Sequence, residues 1–150
     1  MSSSRLLGLA NTAAQDVVAG GLVNLGTVYR RFSKKNECGL GTFNYFGTGV
    51  SLNHKGIYEV EVTAVVSAPA AGVVTLQLEQ NGVLIPAAFA SETITTADTE
   101  LRTLNFSYFI LVDNDLVLNY PTTTAQSLTI RNTGVESTIE NIVVNITKEV

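Results

Sequence analysis

From Tyr58 the chain alternates. Tyr58, Val60, Val62, Ala64 and Val66 are apolar or aromatic, and Ile57, Glu59, Glu61 and Thr63 lie between them. A period of two satisfies a half-buried β-strand and not a helix. The pattern recurs at Val74, Leu76 and Leu78 against Thr75, Gln77 and Glu79. It recurs again at Leu104, Phe106, Tyr108 and Ile110 against Thr103, Asn105, Ser107 and Phe109. Shorter runs at Leu22–Leu25, Thr27–Phe32, Leu116 to Tyr120, Leu128 to Ile130 and Ile142 to Ile146 complete the set, and a loop follows Phe32, with turn residues at Asn36–Gly41, an aromatic run at Phe43–Phe46 and glycines at 47 and 49 before Val50 and Leu52.

Asn81-Gly82 favours positive φ at both turn positions and so predicts a tight hairpin between Val73–Glu79 and Val83–Ile85. Pro86 has no amide hydrogen, which predicts that it ends the second strand or sits at a sheet edge. Ala87–Asp98 reads as a Thr-rich connection, with a short strand at Glu92–Thr95. Roughly eight to ten short strands without a helical pattern define an all-β fold, a two-sheet antiparallel sandwich or jelly roll.

Residues 1–20 are Ser-, Ala- and Asn-rich and close on Gly20-Gly21, which reads as an N-terminal arm ahead of a 21–150 jelly-roll domain. A short helix over Ala13–Val18 would be marginal without something to dock against. The apolar patch Leu6–Ala10 is too short for a secretory signal, and no run approaches a membrane span. The sequons at Asn105 and Asn145 fall inside predicted strands, where they carry no glycosylation argument.

The 150 residues suffice for one domain with a substantial core. Charge changes the picture more: Asp, Glu, Lys and Arg make up 15% of the chain, against about 25% in ordinary soluble domains. So few charges leave apolar surface that a second subunit would cover. The net charge of −4 argues against nucleic acid as a partner.

Catalytic and metal-binding chemistry finds little support. His54 is the single histidine and Cys38 the single cysteine, so a multi-histidine metal site and an intrachain disulfide are both excluded. Cys38 reads as a small packed residue. Asp113-Asn114-Asp115 has the alternating oxygens of a calcium loop but lacks its glycine and bidentate glutamate, and reads as a turn. The glycines at 39, 41, 47 and 49 fit no phosphate-loop spacing. No cofactor is expected, and no enzyme. Arg30, Arg31, Lys34 and Lys35 form the one basic cluster, either a solvated loop or a docking surface for an anionic partner patch.

The succession Gly56–Val62 (GIYEVEV), Leu76–Pro86 (LQLEQNGVLIP), Leu116–Asn119 (LVLN) and Leu128–Asn132 (LTIRN) resembles the tumour-necrosis-factor-like jelly roll. That family includes the complement globular head, and the likeness runs from Gly21 to Val150. It is nearest to the bacterial and phage branch, which includes the C-terminal domains of collagen-like spore-surface glycoproteins. The chain lacks the Gly-X-Y repeats of the collagen-stalked forms.

The resemblance implies a homotrimer serving as a virion structural protein on a phage particle: a head fibre, capsid decoration or appendage tip, attached to capsid proteins through residues 1–20. A carbohydrate- or receptor-binding module, with a host-surface glycan at its distal loops, is the alternative. The resemblance also places Glu59 and Glu61 on the strand face turned towards the threefold axis. Six carboxylates there would need compensation. Either they pair with Arg102, Arg131 or Lys148, or they stay hydrated in the seam; otherwise both face solvent.

Overall fold

The computed structural model describes residues 5–33, 41–117 and 126–150. These form two antiparallel sheets packed face to face. In chain order the strands are β1 (Arg5–Asn11), β2 (Gln15–Val17), β3 (Thr27–Phe32), β4 (Phe43–Tyr45), β5 (Gly49–Leu52), β6 (Gly56–Ser67), β7 (Gly72–Gln80), β8 (Val83–Ile94), β9 (Arg102–Val112), β10 (Gln126–Asn132) and β11 (Ser137–Lys148). One sheet runs β3-β1-β11-β6-β9, with β2 also paired to β11; the other runs β4-β5-β10-β7-β8. Apart from the consecutive pairs β4-β5 and β7-β8, neighbours in each sheet come from separated parts of the chain, the wiring of a jelly roll.

The alternation read from the sequence sorts the side chains as expected. Val60, Val62, Ala64 and Val66 are buried between the sheets, with Leu104 and Ile110 on β9, Val144 and Ile146 on β11, and Leu76 and Leu78 opposite them. The core is close to filled, with a void of only about 10 Å³ among Leu25, Val60, Leu78 and Val144. Phe43 meets Tyr58 edge-on at 6.1 Å between ring centres, and the Tyr58 hydroxyl donates to the His54 carbonyl (2.6 Å).

The hairpin is built as its sequence predicts, with φ of 55° at Asn81 and 78° at Gly82. The Asn81 side chain also reaches β10: its Oδ1 accepts from the Ser127 amide (2.9 Å) and its Nδ2 donates to Gln126 Oε1 (2.8 Å).

Three expectations are corrected. Residues 5–17 are not a free arm: β1 lies between β3 and β11 and is hydrogen-bonded on both sides, and β2 extends β11. Leu7 and Leu9 are fully buried. At about 1.5–3 kcal/mol for each such side chain, their burial offsets part of the entropy of ordering the segment, and the ladders to β3 and β11 add to it. The short helix over Ala13–Val18 is accordingly absent, and Gln15–Val17 is strand.

Leu22–Leu25 is extended but is not a strand. It touches β10 through a Leu22–Arg131 bridge and a Val23 amide bond to the Ile130 carbonyl (2.9 Å). Finally, most of Ala87–Asp98 is not a connection: β8 continues to Ile94 after a register shift opposite Gln77–Glu79, and Pro86 takes the second of its two expected placements, a sheet edge. Pro86 falls within that irregularity on an edge strand, where its missing donor costs nothing, and the Gln77 side chain supplies a bond to the Ile85 carbonyl (2.9 Å).

A bulge at Gly8/Leu9 sets β3 against β1. Tyr29 lies flat across Gly8, where a Cβ would come within 2.6 Å of the phenol ring, and its hydroxyl donates to Asn145 Oδ1. Glycine is required at position 8 because a neighbouring ring occupies the place of its side chain. Gly8→Ala is expected to displace Tyr29 and cost about 1–2 kcal/mol in urea unfolding. Tyr29→Phe, which loses only the hydroxyl bond, should cost about 1 kcal/mol or less.

Candidate functional site

The antiparallel zigzag that buries Val60 and Val62 turns Glu59 and Glu61 to the outer face of the β3-β1-β11-β6-β9 sheet. Glu59 lies between Thr147 and Phe109, and Glu61 between Asn145 and Ser107. Glu59 is half-buried and Glu61 exposed.

The three cations expected as their partners are engaged elsewhere in the chain. Arg102 pairs with Glu100 (2.7 Å), Arg131 pairs with Glu79 (2.9 Å), and the Lys148 ammonium donates to the Val150 carbonyl (2.7 Å).

The basic cluster is divided by its own strand. Arg31 is in register with Leu7, on the inward phase, and its Nη2 donates to the Phe43 carbonyl (2.7 Å), tying β3 to β4. Arg30 is in register with Gly8 on the outer face and is exposed. Lys34, Lys35 and Cys38 lie outside the described residues.

His54 is buried, with its Nδ1 3.1 Å from the Thr42 hydroxyl. Asp115 accepts from the Lys55 amide (2.7 Å), which ties the segment after β9 to the turn before β6. Among the described residues no three His, Cys, Asp or Glu side chains are grouped to hold a metal ion, and no helix is long and apolar enough to cross a membrane. One open depression on the surface is lined by Gln80, Asn81, Val83, Leu84, Ile85 and Pro86, a set without acid, base or nucleophile.

Two carboxylates are structural. Glu79 falls in the polar phase of β7 yet is buried, and it accepts from Arg131 Nε and from the Thr129 hydroxyl (2.9 Å each). Burial pushes its carboxyl up, but these bonds and the guanidinium charge outweigh it and hold the pKa below the usual range. Arg131 also donates to the Gly20 carbonyl, linking β10 to the chain that follows β2. Glu100 closes the loop after β8. Bonds from the Thr95 hydroxyl, Arg102 and the Thr95 and Thr96 amides lower its carboxyl to about 2.

The sequence reading passed over an apolar patch. β8 and β9 are the edge strands on the same side of the sandwich and lie against each other. On the outer face of β9, Phe109 and Leu111 are 60% and 61% exposed, with Ile57 of β6 beside Leu111, while Leu101 lies at the far end of β9 and Phe89 on the outer face of the other sheet. A signal was present: the outward phase of β9 reads Thr103, Asn105, Ser107 and then turns apolar at Phe109 and Leu111.

Two antiparallel sheets in this strand order define the tumour-necrosis-factor-like jelly roll. No family model matches the chain, and no curated protein matches it by sequence. Its structure is similar to murine APRIL, with a TM-score of 0.64, 10% identity, and 98% of this chain and 100% of that one covered. It is similar to the globular domain of zebrafish complement 1qA, with a TM-score of 0.60, 9% identity and coverages of 95% and 94%. The PRD1 vertex protein P5 has the same fold, with a TM-score of 0.51, 15% identity and coverages of 98% and 96%. The likeness in each case is one of fold.

The sign of the pH dependence follows from the two lowered carboxyls. Each contributes stability that is fully present above its unfolded pKa, about 4.5, and lost as pH falls through its folded value. Unfolding free energy is therefore expected to decline from about pH 4.5 towards pH 2, and Glu100→Gln should flatten the lower part of that decline. Arg131→Met leaves Glu79 buried without its cation, and should cost about 3 kcal/mol at neutral pH in the same denaturation series.

Proposed function

We propose that this chain is a non-enzymatic structural protein of a virion, a homotrimeric jelly roll attached to the particle at one pole and displaying loops at the other. The observation that carries the reading is the exposed apolar patch at the end of β9. On a chain with 15% charged residues, Phe109 and Leu111 with Ile57 beside them are what a subunit contact would cover. The fold shared with a phage vertex protein supports the setting.

Attachment does not require a free arm. Arg5 pairs with Lys148, so both ends of the described chain emerge at one pole, beside the 81–82 hairpin and the start of β6. The turns at 68–71, 95–101 and 133–136 lie at the other. The terminal pole is the side that faces the particle's capsid proteins, and avidity across three copies strengthens a weak single contact.

Light scattering of the purified chain should give about three times 16.0 kDa, and a stable monomer would overturn the reading. Within the trimer, Phe109→Ala is expected to weaken association by about 2 kcal/mol, as truncation of a central aromatic anchor does, measured by dilution in the analytical ultracentrifuge. A bulky fusion after Val150 should block attachment to particles, whereas an insertion at Thr99 should leave it intact.

A further inference from the structure

We infer that a second copy of this chain supplies the counter-charge for Glu59 and Glu61, through Arg30 of the neighbouring protomer. The inference rests on the homotrimer proposed above and names the polar contact that sets its register.

Glu59 and Glu61 are on the outer sheet face, and Arg102, Arg131 and Lys148 are bound to Glu100, Glu79 and Val150. Arg31 is held by the Phe43 carbonyl. Arg5 lies in the inward phase with Leu7 and Leu9, and Lys55 lies in the turn before β6. Among the described residues this leaves Arg30 as the cation carried by a strand on the outer face of that sheet.

Position supplies the second step. Arg30, Gly8, Asn145, Glu61 and Ser107 are successive cross-strand partners, one row across the sheet from the β3 edge to the β9 edge. Three strand spacings separate Arg30 from Glu61, about 14 Å, too far for an ion pair within one chain. Tyr29 and Asn145 occupy the ground between them.

In a ring of identical subunits the contact is head-to-tail: the patch near one edge of a protomer meets the patch near the opposite edge of the next. Rotation about an axis running along the strands keeps every residue at its own height. Residues in one cross-strand row therefore arrive level with each other, and an acid near the β9 edge meets a base at the β3 edge. Glu61 satisfies this condition with Arg30, and Glu59 lies one row away, within about 7 Å along β6. The carboxylates that would repel one another around a threefold axis are each drawn instead to a neighbour's guanidinium.

The test is a charge swap read by dilution and light scattering at about 20 mM and about 500 mM salt. Arg30→Glu and Glu61→Arg, each alone, should weaken trimer association about tenfold or more at low salt. The double swap should return it to within about threefold of the original, and the wild-type trimer should loosen at high salt. Arg30→Gln and Glu61→Gln, which add no repulsion, should give smaller losses in the same direction; melting curves verify that all variants are folded. A wild-type trimer that ignores the single swaps, or a double swap no better than the singles, overturns the contact and leaves the trimer standing. A monomeric wild type overturns both.

Discussion

The fold depends on β11 being held on both sides, by β1 from the beginning of the chain and by β6 from its middle. An antiparallel sheet can close only when these distant segments meet, and such long-range pairing brings the entropy cost of large loops before it returns any stability. Leu7 and Leu9 on one side, Val60 and Val62 on the other, and Val144 and Ile146 between them make the pairing worth that cost. β3 is attached to the sheet through β1 alone, so the strand bearing Arg30 takes its position from the same interaction.

The parts of this architecture that were legible in the sequence are those governed by local rules. Strict alternation over Gly56–Ser67, Gly72–Gln80 and Arg102–Val112 gave three long strands with their buried faces, because period two has one physical meaning. Asn81-Gly82 gave the hairpin, because few other pairs tolerate those dihedrals. β1 was illegible: RLLGLAN offers only two alternate leucines, and the glycine between them reads as a breaker until Tyr29 is placed over it. Continuation of β8 past Pro86 depends on a register shift that no local signal encodes.

The candidate site was legible in composition and obscure in position. Sparse charge implied covered apolar surface, but the patch at Ile57, Phe109 and Leu111 needed β6 and β9 to be known as neighbours. Glu79 shows the opposite limitation: an acid in the polar phase of an outer strand reads as solvated, and only the arrival of Arg131 and Thr129 from β10 makes it buried. Among the described residues, the ion pairs that form join strands or close loops, and Glu59, Glu61 and Arg30 on the outer sheet face take part in none of them.

The adjacency of Arg5 and Lys148 also bears on how the polypeptide can be re-engineered. A short linker between the two ends would give a circular chain, and new ends opened between Pro69 and Ala71 would leave every ladder in both sheets unbroken. In such a permutant β1 and β11 become consecutive, and the pairing that is now the most remote in sequence becomes an ordinary hairpin.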